Sequence, residues 1–306
     1  MKRILVSGNV NLETNLSIEG FPVQYKAVRY AQNQIQTNVG GVAYNVSKAL
    51  ATLGDDVSLL AMLGDDQEGE RIRSTLAQYN IDTARIRNTL SASPSSVVLH
   101  DSAGRRAIFT DTKNLQSSTY DFMTTDIENF DLVVACNVNF NRDLLYKAHQ
   151  ANVLIATDVH TLDNPRDGYN QEFMEYADIL FLSDEHIWIR KREFFETLRD
   201  LYPCKIIVMG CGSSGAMMYL RENDRVYKMD AIPNENPVNT LGAGDALFSS
   251  FLHFVSNGYS PLEALKRAQI FASHKISYNG ASIGFLSAYE VNRIAKDTQV
   301  NIRECW

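Results

Sequence analysis

A carboxylate at the mouth of a glycine-rich turn is poorly placed to bind an anion and well placed to take a proton. Asp245 stands in this position, in the run Asn239-Thr240-Leu241-Gly242-Ala243-Gly244-Asp245-Ala246-Leu247-Phe248. Residues 233–238 before it are polar and interrupted by Pro233 and Pro237; residues 246–255 after it are apolar, helix-compatible, and stop at Ser256-Asn257-Gly258. A turn that admits close backbone approach therefore runs straight into a helix whose first N–H groups are free. Those of Gly242, Ala243 and Gly244 would hold negative charge developing on a transferred group, while Asp245 accepts the proton of an attacking hydroxyl. On spacing alone, a plain glycine turn with an acidic residue complementing the helix dipole accounts for the run equally well.

A second glycine-led helix start lies near the N-terminus. Gly40-Gly41-Val42-Ala43-Tyr44-Asn45 opens a stretch in which Val42, Val46, Ala49, Leu50 and Leu53 recur at helical spacing, closed by Gly54. Before it, the apolar run Ile4-Leu5-Val6 leads into the polar loop Ser7-Gly8-Asn9-Val10-Asn11-Leu12-Glu13. Polar loops at the carboxyl ends of buried strands are where α/β proteins bind ligands.

Together these runs resemble the signatures of the ribokinase-like pfkB carbohydrate kinases. Thr240, Gly242, Ala243, Gly244 and Asp245 match the motif Asp-Thr-x-Gly-Ala-Gly-Asp, with Asn239 in place of its first Asp; Gly40, Gly41 and Asn45 match Gly-Gly-x-x-x-Asn. In the first loop Asn11 matches Gly-x-x-Asn-x-Asp, and Glu13 lengthens the acid by one methylene. The resemblance covers essentially the entire chain, 1–306, and implies one kinase domain: an α/β three-layer sandwich, a mostly parallel sheet with helices on both faces. It also implies a small β-sheet lid formed by about residues 12–38 and 92–114.

The resemblance further implies ATP and Mg2+ as cofactors and assigns roles residue by residue. Asp245 would be the catalytic base, Gly242, Ala243 and Gly244 the anion hole, and Asn11, Glu13, Gly40, Gly41, Asn45 and Asn137 the acceptor contacts beside Asp245. Gly212 and Gly215, in a turn between strands that lacks the Walker pattern, would line the nucleotide with Thr240, Asn279 and Gly280. The Asn-x-x-Glu motif that orients water around the metal is degraded: Ser183 takes the Asn position and His186 the Glu position, leaving Asp184 or Glu185 to serve through water. Many members bind an activating monovalent cation with the first Asp of the signature. Asn239 lacks that charge, so potassium activation is expected to be small or absent.

The elements that must position these residues follow a βαβ rhythm. Strands are expected over residues 57–62, 132–136, 153–156, 205–209 and 217–220, and helices over 70–79, 141–150 and 288–295. Residues 25–36 and the hairpin 95–100 with 106–111 read as exposed strands. Apolar residues there, Val28, Ile35, Val97 and Ile108, with Tyr25 and Tyr30, ask for a cover, so the lid is expected to pair two chains as a homodimer. Thr157-Asp158-Val159-His160 follows a buried run, but a loop histidine beside an aspartate is more often solvated, and His160 receives no catalytic role.

Composition bounds the alternatives. With 45% hydrophobic and 21% charged residues the chain reads as an ordinary globular protein, and its net charge of −7 speaks against nucleic acid or an anionic membrane as partner. The 4 cysteines show no metal spacing, and Cys136 reads as a reduced core residue, which suits the cytoplasm. No run reaches membrane-spanning length, and the N-terminus reads as a first strand rather than a signal peptide. The reading is a kinase that transfers the γ-phosphoryl group of ATP to a hydroxymethyl group of a sugar or nucleoside. Asn239 and the Cys136-Asn137 loop resemble nucleoside-type members, pseudouridine kinase in particular. Two other classes stay open: a non-catalytic sugar- or nucleoside-binding protein on a kinase scaffold, and an enzyme that uses the anion site for hydrolysis or another transfer.

Overall fold

The computed structural model describes residues 1–102, 104–122, 126–185, 187 and 190–306. In chain order its elements are β1 (Arg3–Ser7), β2 (Asn11–Ser17), β3 (Ile35–Gly40), α1 (Val42–Leu53), β4 (Asp56–Leu63), α2 (Gln67–Ala77) and β5 (Asp82–Asn88). β6 (Ser95–His100), β7 (Arg106–Asp111), β8 (Leu132–Ala135), α3 (Asn141–Gln150), β9 (Leu154–Thr161), α4 (Gln171–Tyr176), β10 (Ile179–Ser183) and α5 (Lys191–Leu201) follow. The chain closes with β11 (Ile206–Gly210), β12 (Ala216–Leu220), β13 (Arg225–Met229), α6 (Ala243–Ser256), α7 (Pro261–Lys275), α8 (Ala288–Asp297) and β14 (Ile302–Glu304).

Ten strands form one sheet in the order β14-β13-β12-β11-β10-β9-β8-β1-β4-β5. From β5 to β11 neighbours run parallel; β12, β13 and β14 pair antiparallel at one end. Its strands are buried on both faces, and alternate residues divide between two cores. Ile4 and Val6 face the side covered by α1, α2, α6, α7 and α8, whereas Leu5 faces the side covered by α3, α4 and α5. This is the expected three-layer α/β sandwich. Strand order reverses at β1, which pairs with β4 on one side and β8 on the other, so a crevice opens there at the carboxyl ends.

A second sheet, β3-β2-β6-β7, stands apart. Its strands β6 and β7 coincide with the expected hairpin, with Val97 opposite Phe109. The expectation for residues 25–36 is corrected: residues 18–34 contain no strand, and Tyr25 and Tyr30, 95% and 97% exposed, lie in irregular loop. Proline and the polar run Gln32-Asn33-Gln34 deprive this stretch of the alternation that would give it a buried face. β5, β13, β14, α4 and α5 lie outside the elements expected from the sequence. Among the described residues no helix is long and apolar enough to cross a membrane.

The helix that carries Asp245 is fixed to the sheet centre by aromatic packing. Phe251 of α6 has no exposed surface, and its ring centroid lies 5.3 Å from that of Phe181 on β10; Phe248 lies 4.8 Å from the same ring. Replacing Phe251 by alanine is expected to cost about 3–5 kcal/mol of unfolding free energy. Urea denaturation measures this, and a loss below about 1 kcal/mol would show that α6 is not anchored in this way.

Candidate active site

The site forms where two helix N-termini meet above the crevice. α1 begins without a side-chain cap, from Gly41 at φ 93°. A Cβ on Gly41 would lie 2.6 Å from the carbonyl oxygen of Asn9, so only glycine lets the β1–β2 loop press against this turn. One turn on, buried Asn45 donates from Nδ2 to Oδ2 of Asp245 at 2.7 Å, joining α1 to α6. Gly40 lies beneath Glu13: its Cβ would meet the Glu13 carboxylate at 3.2 Å. Asn11, Glu13 and Asn15 occupy alternate positions of β2 and so point to one face of the second sheet.

At the second helix start, Gly242 is the N-cap of α6 at φ 76°, a left-handed conformation, and a Cβ there would collide with the carbonyl oxygen of Ala281. The sequence reading assigned the anion hole to Gly242, Ala243 and Gly244. The Ala243 N–H is already engaged, donating to the Thr240 carbonyl at 3.1 Å in a tight turn. Among the described residues the N–H groups of Gly242, Gly244 and Asp245 have no intramolecular acceptor. Of the three expected donors Gly242 and Gly244 are therefore free, and Asp245 stands in for Ala243. A Cβ on Gly244 would meet no atom within 4 Å, which leaves open space in front of these donors.

The electrostatics suit a base. Burial raises the Asp245 carboxyl above the ordinary aspartate range, offset by the Asn45 hydrogen bond, by nearby His160 and by Lys275, while Asp158 pushes it further up. Burial also raises Glu13, opposed by the Nδ2 of Asn15, which donates to its carboxylate at 3.0 Å. Asp158 and His160 sit at an irregularity in the β9–β10 pairing; His160 has φ 59° and its backbone N–H donates to Asp158 at 2.8 Å. The sequence reading set His160 aside, yet the structure brings this pair toward Asp245. Lys275, at the end of α7, was missed altogether. It is fully buried and donates to the carbonyls of Leu241 and, at 3.3 Å, Asn239. Nothing in the sequence near Lys275 sets it apart from Lys266 and Arg267 of the same helix.

The second sheet closes over this site. Buried Val98 packs with Leu241 and Ala281, so β6 rests directly on the anion loop. Asn239 shows why an amide serves there: it accepts from the Leu241 N–H at 2.8 Å and donates to Asn279 at 2.9 Å, which an aspartate could not do. Asn279 and Gly280 thus adjoin the loop, with Gly280 at φ 112°, and Thr240 is exposed beside them. Gly212 and Gly215 flank the turn between β11 and β12, and Gly212 faces open space.

Other expected residues are held elsewhere. Asn137 follows β8, but its amide donates to Asn170 at 3.0 Å and its carbonyl accepts from Tyr169 at 2.9 Å. Asp184 pairs with Lys191, and Glu185 lies 3.7 Å from Arg106 of β7. His186 falls outside the described residues. Among the described residues no cluster of three His, Cys, Asp or Glu side chains converges as a metal cage. Mg2+ fits this site only as a largely hydrated ion held by phosphate oxygens. Of the two expected carboxylates, Glu185 is exposed and loosely paired with Arg106, whereas Asp184 is paired with Lys191.

Comparison with known proteins agrees with this geometry. The profile of the pfkB family carbohydrate kinases matches residues 1–288. An acarbose 7(IV)-phosphotransferase of Actinoplanes sp. is 25% identical over 271 residues, covering 86% of this chain and 88% of its own. An ATP-dependent ribose-1-phosphate kinase of Halopiger xanaduensis is 27% identical over 260 residues, covering 82% of this chain and 84% of its own. Among solved structures, a microbiome-derived acarbose kinase superposes with a TM-score of 0.87 at 22% identity over 96% of this chain and 99% of its own. Arabidopsis thaliana ribokinase with ribose and ATP superposes with a TM-score of 0.82 at 21% identity over 97% and 99%. The glycine-led starts of α1 and α6, the buried carboxylate between them and the family match over nearly the whole length lead to one statement: the chain belongs to the pfkB family of carbohydrate kinases, phosphotransferases with an alcohol acceptor.

Proposed function

We propose that this kinase transfers the γ-phosphoryl group of ATP to a hydroxymethyl group of a sugar or nucleoside. The observation that carries the reading is Asp245: a carboxylate of raised pKa, held by Asn45, directly beside the free N–H groups that open α6. Asp245 accepts the hydroxyl proton as the oxygen attacks phosphorus. The N–H groups of Gly242, Gly244 and Asp245 face the charge on the transferring phosphoryl, and their fixed positions need no reorganisation as the bond forms. Mg2+ bound with the nucleotide would neutralise charge on the phosphates, and Glu185 is the residue that would hold it, through water. Thr240, Asn279, Gly280, Gly212 and Gly215 border the nucleotide in this reading.

The acceptor is a polyol. Oδ1 of Asn11, Asn15 and Asn45 is buried without a hydrogen-bond donor, and buried acceptors of this kind call for O–H or N–H groups on a ligand. Asn11, Glu13, Asn15 and Asn45 thus form the acceptor wall, on the glycine floor of Gly40 and Gly41. The relatives act on ligands as different as acarbose and ribose-1-phosphate, which is consistent with one polyol-binding wall serving differing sugars. Residues 1–306 form a single kinase domain in this account, with the lid spanning 12–38 and 92–114.

The outer face of the lid completes the proposal. Ile35, Val97 and Phe109 alternate with the site-facing residues and are 58%, 42% and 62% exposed. A second copy of the chain covers this apolar face in a homodimer.

Two outcomes are expected. Monitoring ATP consumption over a panel of sugars and nucleosides should show acceptor-dependent turnover; hydrolysis alone, or no turnover with any acceptor, would reject the kinase reading. With the best acceptor, Asp245→Asn should fold yet lose about 10²–10⁴ in kcat. Because the carboxylate must be ionised to act, wild-type kcat/KM should fall as pH drops through its raised pKa, above the ordinary aspartate range. A variant within a few-fold of wild type would place the base elsewhere. Sedimentation at micromolar concentration should give twice the 34.4 kDa of one chain, and Phe109→Asp should return the monomer; a monomeric wild type would reject the dimer alone.

A further inference from the structure

Lys275 is a long charged side chain with no exposed surface, and its surroundings explain it only in part. An ammonium without water is costly unless its donors are satisfied. Here they go to neutral carbonyls, those of Asn239 and Leu241, and no carboxylate lies within ion-pair distance among the described residues. A lysine kept merely to neutralise an acid would sit against one. This lysine sits against the backbone of the anion loop.

We propose that the Lys275 ammonium is a built-in cation of the anion loop, which orients the loop's N–H donors and places a fixed positive charge behind the transferring phosphoryl group. The inference rests on the kinase reading above. A trans peptide points its C=O and its N–H in opposite directions. Where Lys275 draws the Leu241 carbonyl toward itself, the N–H of the same peptide unit, that of Gly242, points away. Gly242 is one of the donors with no internal acceptor. The Asn239 carbonyl fixes the Thr240 N–H in the same manner. The last turn of α7 secures the arrangement, since the carbonyl of Ile276 accepts from the N–H groups of Val238 at 2.7 Å and Asn239 at 3.0 Å.

The charges facing Lys275 come from three elements: Asp245 of α6 and Glu13 of β2, which favour its charged form, and Arg106 of β7, which opposes it. Burial outweighs the acids and holds the ammonium down to about 8. Phosphate brought beside it favours the charged form further. Lys275 is therefore a positioning residue: it acts on phosphate through the loop it orients. An ammonium on these carbonyls does what a bound potassium ion would do, so wild-type rates should be the same in sodium and potassium chloride.

The test compares the full-length wild type with Lys275→Ala and Lys275→Met, using ATP with whichever of D-ribose, D-fructose and inosine the wild type turns over best. Folding is checked by thermal melting. The alanine variant should lose about 10²–10³ in kcat, the scale of one removed oxyanion donor, with KM changed little. It should regain at least ten-fold in ammonium or potassium chloride but not in sodium chloride, because the vacated space faces two carbonyl oxygens. The methionine variant fills that space, so it should be as slow without rescue and should lack the decline above about pH 8 expected of wild type. A folded alanine variant that no cation rescues, a folded methionine variant within a few-fold of wild type, or potassium stimulation of the wild type would each overturn the proposal. If the alanine variant does not fold, the rate and pH profile of the methionine variant decide. A wild type that phosphorylates no acceptor of the full sugar and nucleoside panel sinks the kinase reading instead.

Discussion

The hydrogen bond from Asn45 to Asp245 is the contact on which the site depends. It joins residues 200 positions apart in the chain, one on α1 and one on α6, and ties two helix starts to a single point. A carboxylate that burial drives toward protonation must still ionise to act as a base. The Asn45 amide meets both needs, since it fixes the side chain and stabilises the charged form against desolvation. It also leaves the Asn45 carbonyl oxygen buried without a donor. Everything else serves to bring these two side chains together. Gly41 lets α1 begin against the β1–β2 loop, Gly242 lets α6 begin against Ala281, and the aromatic anchor beneath α6 holds the second helix in place.

The lid and the anion loop behave as one assembly rather than as a cover over a finished site. Val98 packs on Leu241, Leu241 gives its carbonyl to Lys275 and its N–H to Asn239, and Asn239 reaches on to Asn279. Glu13 and Asn15 come to the same place from β2. The second sheet is therefore joined by packing and hydrogen bonds to the start of α6.

Much of this was legible in the sequence because it rests on local rules. Glycine at Gly41 and Gly242, where other residues would clash or strain, and the helices that follow them are signals carried by adjacent residues. So is the alternation of β6 and β7. What escaped the sequence depends on distant pairings. Lys275 lies in an ordinary helical stretch, and only the fold places it against Leu241. His160 looked solvated because the β9 irregularity that brings it and Asp158 toward Asp245 leaves no mark in composition. The stretch at Tyr25–Tyr30 looked strand-like from its residue types, yet it has no neighbour to pair with, and pairing, not propensity, makes a strand. Ala243 was counted as a donor although the tight turn from Thr240 already uses its N–H.

The central claim is that Asp245 moves a proton and never carries the phosphoryl group. It is tested most directly by the stereochemical course of transfer from ATP made chiral at its γ-phosphorus with oxygen isotopes. In-line attack by the acceptor hydroxyl, with Asp245 as base, inverts the configuration at phosphorus in the product. Retention would mean two successive displacements through a phosphorylated residue, and would contradict the account.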